Sequence, residues 1–449
     1  MTDFLDQNRR LYVSLFFSIF LFFGVCAAAV VGWYLAIILI VVFMPIIILD
    51  KSSSIAVFFW VLSLGYGNLA SSLLIFDLSS LSSSFLRGLD FISLSLLFLN
   101  VYFRKGVFRS LYFWSVTVLI LYFSIGLVRS GFDAAFIYLR LFLSLIFLSY
   151  VYFVLKDLRY KRLFDYIGYM LVFFVGFNFI FYIFVYDFID FFNVDEYISR
   201  KYGGVMYAES FFYTKLFNSN YFSGIEDLRF FGFTLHPISS AFFYAGLFFW
   251  FFMDINKNGL SLILAIIAFF LTVVTYSKGA LVLIISVVLF WELKRLVFPS
   301  DKLVKYLVVY IICQIVVFFL YGLSFGDPHV YSLVGSVLSF LTNPIGSGIG
   351  VGGSMFGAQI EALDFSLVRG DSGLAILLKM TGVAGIYIFW SIVRKMFIDF
   401  TDYRQNVVWA FILVAAIFQE EPMNPYSLSA IFLVLIKVAL NKQQSGFRN

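Results

Sequence analysis

Leu11-Tyr-Val-Ser-Leu-Phe-Phe-Ser-Ile-Phe-Leu-Phe-Phe-Gly-Val-Cys-Ala-Ala-Ala-Val-Val31 runs for twenty-one residues without an acidic or basic side chain. As a helix it would be about 30 Å long, the thickness of a bilayer's hydrocarbon layer. Runs of this kind recur along the chain. They lie at Trp33–Leu49, Ile55–Ile75, Phe91–Tyr102, Leu111–Val128, Phe136–Leu155, Tyr166–Tyr186 and Ser239–Phe252. Six more follow at Leu260–Tyr276, Ala280–Leu293, Val304–Leu323, Ser372–Trp390, Val407–Phe418 and Tyr426–Leu440. Apolar residues make up 62% of the sequence and charged residues 13%, a mix foreign to soluble globular domains. The prediction is an all-α, polytopic integral membrane protein. It has a single membrane domain over 1–449 and about fourteen transmembrane helices, with a range of about 12–14. Most of the 62 phenylalanines are then lipid-facing filler.

Basic residues set the expected orientation. Arg9, Arg10, Lys51, Arg104, Lys105, Arg109, Lys156, Arg159, Lys161, Arg162 and Lys257 fall largely on alternate loops, and the pattern continues through Lys294, Arg295, Lys302, Lys305, Arg394, Lys395, Lys442 and Arg448. The positive-inside rule makes those loops and both termini cytoplasmic. The same asymmetry explains the net charge of +5, so nucleic acid is not an expected partner. The first apolar run leads straight into another span and reads as a retained helix, not a cleaved signal. Cys26 and Cys313 both fall inside spans, which argues against a disulfide framework or a thiolate metal site. Inner connections are too short to hide a nucleotide-binding module. The halves show no convincing repeat, which weakens an inverted-repeat transporter reading. Ser79–Ser84 reads as an outer loop with no chemistry of its own.

Two long polar islands, about 187–238 and 324–371, then lie on the outer, periplasmic side. Loops of that length in a compact protein are functional or disordered, and their aromatic and aliphatic content argues for order. The first island ends in Arg229-Phe-Phe-Gly232-Phe-Thr-Leu-His236-Pro237. Proline favours the first helical position, so a helix should start at Pro237 with its N-terminal amides at the outer surface. Such a terminus attracts anions, and an arginine can fork onto phosphate oxygens. The bland reading is an arginine anchored on lipid headgroups and a histidine cap.

Further cations stand on the same side. Arg140 lies inside an apolar run, about two turns beyond Asp133, and Arg129 ends the preceding span. An ionisable group at membrane depth is expensive and by default functional; snorkelling to the interface is the alternative. Lys278 occupies the short turn Ser277-Lys278-Gly279. The second island holds Asn343-Pro-Ile-Gly346-Ser-Gly348-Ile-Gly350-Val-Gly352-Gly353, which reads as an anion-binding nest or a flexible lid. It ends in Arg369-Gly370-Asp371-Ser372-Gly373, where Asp371 is an ordinary helix cap or a carboxylate at a reaction centre. Glu209, Glu420 and Glu421 are the other acidic candidates. Cations at membrane depth suit a lipid-linked phosphate or pyrophosphate, and aromatic surfaces suit sugar rings.

The motif order over about Asn178–Trp390 resembles the O-antigen polymerase and ligase family. The elements are Arg229, Gly232, His236 and Pro237, the Ser277–Gly279 turn, the Pro344–Gly350 loop, and Asp371-Ser372-Gly373 opening a span with Gly385. The resemblance implies a glycosyltransferase at the outer face of the bacterial inner membrane, acting on undecaprenyl-pyrophosphate-linked oligosaccharide among the membrane lipids. It implies no metal and no other cofactor, and a chain-length regulator is the partner such an enzyme could work beside. Two positions depart from the family. Lys278 replaces the arginine common in that turn, and Asp371-Ser372 stands near where the ligase branch has a histidine, which favours polymerase over ligase. On this reading Arg229, Arg140, Lys278, Arg369 and Arg129 bind pyrophosphate. Asp371, Glu209 or His236 takes the acceptor's proton. The alternatives are a ligase passing the glycan to lipid A core, and a flippase carrying the lipid-linked unit across the membrane. A flippase should line a path open to both sides, whereas the unexplained charges here gather on one half.

Overall fold

The computed structural model describes residues 2–103, 109–194, 196–197, 218–219, 227–255, 258–296, 300–351 and 372–446. These residues are helical apart from short connections and a two-residue antiparallel ribbon that pairs Asn218 with Leu228 and Ser219 with Asp227. In chain order the helices are α1 (Thr2–Val31), α2 (Trp33–Leu49), α3 (Ser54–Leu73), α4 (Ser80–Arg87), α5 (Leu89–Tyr102) and α6 (Arg109–Ser130). Next come α7 (Phe132–Leu155), α8 (Lys161–Ile183), α9 (Val185–Phe191), α10 (Pro237–Phe252) and α11 (Gly259–Val274). The last are α12 (Lys278–Leu296), α13 (Ser300–Phe325), α14 (Pro328–Thr342), α15 (Gly373–Asp399), α16 (Tyr403–Phe418) and α17 (Pro425–Gly446).

Among the described residues eight helices are long and apolar enough to cross a membrane, or nine if the bent pair α4–α5 counts as one span. The chain is therefore a polytopic helical membrane protein. Every run expected to span falls on helix. Several of those helices are short of a full crossing: α2 has 17 residues, and α10, α11 and α16 have 16 each, where about 20 are needed. The most direct sign of a lipid environment is α13. Its span Val304–Phe325 has a mean hydropathy of 2.4, yet only 11% of the window is buried in protein. No soluble protein leaves so long an apolar surface to water.

The chain divides into two compact units, 1–106 with 150–277, and 107–149 with 278–449. In the first, α1, α2, α3 and α5 pack together, as do α8, α10 and α11. Serines join α1 to α3: Ser54 Oγ donates to Ser14 Oγ over 2.8 Å, and Ser18 Oγ donates to the Ile55 carbonyl. Small polar residues at helix contacts let backbones approach and bond across the interface. Asn100 on α5 closes the end of α2, its amide donating to the carbonyls of Ile47, Ile48 and Asp50. The serine-rich stretch expected as a loop is instead helical α4, capped by Ser79, and bends by 50° into α5 at Gly88.

In the second unit α17 is the most enclosed span, with 89% of its apolar window buried. Two features were not expected here. Part of the second polar island is helix α14, started by Asp327, whose side chain accepts from the His329 amide. And α15 is broken at Gly382, where φ is 56° and ψ is −144°.

The break explains the glycine loop. At Gly382 the helical ladder fails, and the loop Asn343–Gly350 supplies the missing partners. Ser347 N–H donates to the Lys379 carbonyl over 2.9 Å, Gly348 N–H to Met380 over 3.0 Å, and Val383 N–H to the Pro344 carbonyl over 2.9 Å. On its other side the loop rests on α6. Ile349 N–H donates to the Tyr122 carbonyl, the Tyr122 hydroxyl to the Ile345 carbonyl over 2.6 Å, and Arg129 Nη1 to the Ser347 carbonyl over 3.1 Å. Gly346, Gly348 and Gly350 all have positive φ, and a Cβ on any of them would meet a neighbouring backbone. Glycine is required here for conformation and for space. The loop is neither the anion nest nor the flexible lid that its sequence offered, because its amides already serve Met380, Lys379 and Tyr122.

The same argument marks Gly126 on α6, where a Cβ would run into the Ile349 carbonyl. Gly126→Ala should displace the loop from α6 and lower the melting temperature in detergent, at a cost of about 1–3 kcal/mol for overpacking. Gly176→Ala, where a Cβ meets nothing within 4 Å, is the matched control.

Candidate functional site

In the first unit the polar segment before α10 is buried. Phe230, Phe231, Phe233, Thr234 and Leu235 are almost wholly enclosed, and Arg229 is 8% exposed. Its backbone cannot be left unsatisfied at such depth, and each turn of it has a partner. Phe230 N–H donates to the Val274 carbonyl at the end of α11, and Arg229 Nε donates to the Thr275 carbonyl over 2.9 Å. A guanidinium on the last carbonyls of a helix also meets the negative end of its dipole. This contact ties Arg229 to the strand of chain that leads into Ser277, so two elements of the sequence motif adjoin in space.

Beyond Arg229 the segment turns through Gly232, where φ is 50°. A Cβ there would strike the Tyr244 hydroxyl and crowd Asn178 Oδ1. That amide oxygen accepts from the Phe233 N–H and from the Tyr244 hydroxyl, while Asn178 Nδ2 donates to Phe174 one turn back on α8. From α3, Asn68 Nδ2 donates to the Thr234 carbonyl over 3.0 Å, and Asn68 Oδ1 accepts from the Tyr197 hydroxyl. Thr234 Oγ1 bonds the His236 carbonyl and pairs with Ser240 Oγ, and Ser240 Oγ donates to the Phe231 carbonyl.

His236 caps α10. Its Nδ1 accepts from the Ser239 N–H at 3.3 Å and lies 3.2 Å from Ser239 Oγ. A backbone N–H can only donate, so Nδ1 carries a lone pair and the neutral ring holds its proton on Nε2. In that state His236 has no second lone pair with which to accept a proton from a substrate. The helix start at Pro237 is the one the sequence predicts.

The second unit holds three of the expected cations. Arg129, in the last turn of α6, is tied to the glycine loop through Ser347 as described above. Arg140 on α7 is half-buried, and its guanidinium carbon lies 5.7 Å from the centre of the Tyr426 ring on α17. Lys278 is exposed and is the first residue of α12, not part of a free turn. Beside Tyr426 the connection between α16 and α17 is a single 3₁₀ turn, Glu421–Met423. Glu420 and Glu421 each hold one carboxylate oxygen out of reach of solvent. This turn is locked to the start of α15, since Gly373 N–H donates to the Gln419 carbonyl and Ser372 Oγ to Ile417. Ser372 is also the cap of α15, its Oγ accepting from the Ala375 N–H. The capping role offered to Asp371 is thus filled by its neighbour. Asp371, Glu209 and Arg369 lie outside the described residues.

The sequence reading passed over Asn68 and Asn178, which organise the buried turn, and over Lys379 and Lys437. Lys437 is 6% exposed within α17, and Lys379 is half-buried just before the break in α15. The signal was available: a charge or an amide inside an apolar run asks for a partner. Among the described residues no group of three or more His, Cys, Asp or Glu side chains is placed to hold a metal ion. No family model, curated protein or solved structure matches the chain.

If His236 serves only as a cap, His236→Asn should preserve both folding and function, because asparagine caps well. His236→Ala should lower stability by about 1 kcal/mol. Thermal unfolding of both variants in detergent, beside their activity, separates a cap from a substrate-facing ring.

Proposed function

We propose that this chain is a polysaccharide polymerase of the bacterial inner membrane, an inverting glycosyltransferase with both termini in the cytoplasm and its polar islands in the periplasm. The supporting observation is Arg229: a guanidinium buried in a membrane protein, its plane fixed by the Thr275 carbonyl, in a turn that ends at a helix N-terminus. A guanidinium held in place can fork onto phosphate oxygens, and a pyrophosphate on a lipid offers such oxygens.

In the reaction, the acceptor sugar's hydroxyl oxygen attacks the anomeric carbon of the donor glycan. The bond from that carbon to the pyrophosphate oxygen breaks, and the lipid pyrophosphate leaves with the electron pair. Negative charge grows on the leaving group, and Arg229 is the residue suited to stabilise it. A base takes the hydroxyl's proton. The capped tautomer of His236 leaves that task to Asp371 or Glu209.

A clean deletion followed by glycan electrophoresis tests the reading. Loss of a polymerase leaves lipid A core carrying a single repeat. Loss of a ligase leaves no capped core, and loss of a flippase strands the repeat unit inside.

Arg229→Lys should abolish most chain extension at matched protein levels, because an ammonium cannot reproduce a two-pronged phosphate contact. The melting temperature decides its meaning. Activity lost with stability retained identifies an anion-binding arginine, whereas a fall in both identifies a clamp on α11.

Asp371→Asn should slow extension by on the order of a hundredfold if the carboxylate accepts the proton. With Ser372 as the cap of α15, this change should leave stability alone. A silent Asp371→Asn beside an inactive Glu209→Gln would move the base to Glu209.

A further inference from the structure

In the first unit both ends of the first polar island meet on one side chain. Asn68, on α3 and 5% exposed, donates from Nδ2 to the Thr234 carbonyl near the island's end over 3.0 Å. Its Oδ1 accepts from the Tyr197 hydroxyl, near the island's start, over 3.2 Å. A carbonyl can only accept, so the amide nitrogen must face Thr234 and the oxygen is left for Tyr197. One turn further along α3, Ser72 Oγ donates to the Phe192 carbonyl, so the same helix face also takes the chain as it enters the island. Tyr197 is 1% exposed, and its own N–H donates to the Asn193 carbonyl. The guanidinium carbon of Arg87, on α4, lies 6.0 Å from the centre of its ring. Satisfying the main chain accounts for the Thr234 arm of Asn68 alone. The Tyr197 arm joins two side chains.

We propose that Asn68 is a positioning residue that makes the Arg229–His236 turn depend on the seating of the Tyr197 segment. With Tyr197 seated, its hydroxyl holds the amide in the orientation that brings Nδ2 to Thr234. If Tyr197 withdraws, the buried Oδ1 is left without that donor, at the cost of an unmade hydrogen bond. The amide relieves the cost by turning toward another donor, and the Thr234 carbonyl is released. Thr234 Oγ1 bonds the His236 carbonyl and pairs with Ser240, so its release loosens the start of α10. Two ends joined in this way bias each other by the same free energy. Whatever seats the start of the island therefore also firms the turn that carries Arg229. What that turn binds rests on the polymerase reading; the coupling rests on the two bonds of Asn68.

Hydrogen exchange, read by mass spectrometry on the full chain in detergent, tests the coupling. Tyr197→Phe removes the hydroxyl and keeps the ring beside Arg87. The peptide covering Phe230–Ser240, whose amides bond to Val274, Asn178, Gly232 and His236, should then exchange about fivefold faster, the effect of one buried hydrogen bond. Amides of α2, in the same unit, should keep their wild-type rates, which separates a local coupling from a general loss of stability. Asn68→Ala cuts both arms and should itself speed the peptide. Adding Tyr197→Phe to it should change nothing further at Phe230–Ser240. Asn68→Ser, too short to hold both partners, takes its place if the alanine variant does not fold. Unchanged exchange of the peptide in Tyr197→Phe would overturn the proposal. So would an equal acceleration by Tyr197→Phe with Asn68 present and with it replaced, or an equal acceleration of α2. Exchange needs no turnover, so the two readings fail separately. Coupled exchange in a chain whose deletion leaves glycan length unchanged refutes the polymerase. Uncoupled exchange in a chain whose deletion blocks extension refutes the role of Asn68.

Discussion

A backbone amide or carbonyl in hydrocarbon has no water to turn to, and the rest of this structure depends on how that constraint is met wherever a helix stops. An intact helix satisfies it by itself; a broken one must borrow partners at several kcal/mol for each group left over. At Gly382 the lender is the loop Asn343–Gly350, which bonds to both sides of the break and must be nearly side-chain-free to reach them. At the end of α2 it is the Asn100 amide. Before α10 it is a set of amides and hydroxyls, Asn68, Asn178, Tyr244 and Ser240, gathered from two other helices and from α10 itself. The polar residues buried in these units are mostly answers to one question about the main chain.

That constraint also shows why the fold class was plain in the sequence while its details were not. Long apolar runs such as Leu11–Val31 and Val304–Leu323 read as membrane-crossing helices, and both are helical. Helix ends were readable where capping chemistry is local: Pro237 after His236 predicted the start of α10. Breaks inside runs were hidden because their partners are distant in sequence. Nothing near Gly382 announces that Pro344 and Ser347 will bond to its neighbours, and a glycine-rich loop looks the same whether it waits for an anion or mends a helix. The serines of α4 misled for a related reason. Residues that favour caps and turns can form a helix once one of them, Ser79, takes the cap itself.

The candidate site was legible in its residue types more than in their roles. Arg129 and Arg229 looked alike in sequence, as guanidiniums at the edge of the membrane. The structure gives each a backbone carbonyl, yet their settings differ. Arg129 reaches Ser347 from an exposed position. Arg229 is enclosed, and its Nε donates to the Thr275 carbonyl at the end of α11. Burial separates the two, and burial is set by the tertiary packing of α10 and α11, not by anything local in the sequence.

The proton's destination narrows by the same kind of reasoning. A histidine beside a helix-starting proline resembles a general base, but the cap fixes its proton on the far nitrogen. To act as a base it would have to release the Ser239 amide, leaving an N–H at the mouth of α10 without an acceptor, at a cost of about 1–3 kcal/mol. A carboxylate carries no such conflict, because it has two oxygens and can keep one bonded while the other receives the proton. On the polymerase reading a carboxylate therefore suits the sugar hydroxyl's proton better than His236, whose ring holds the start of α10.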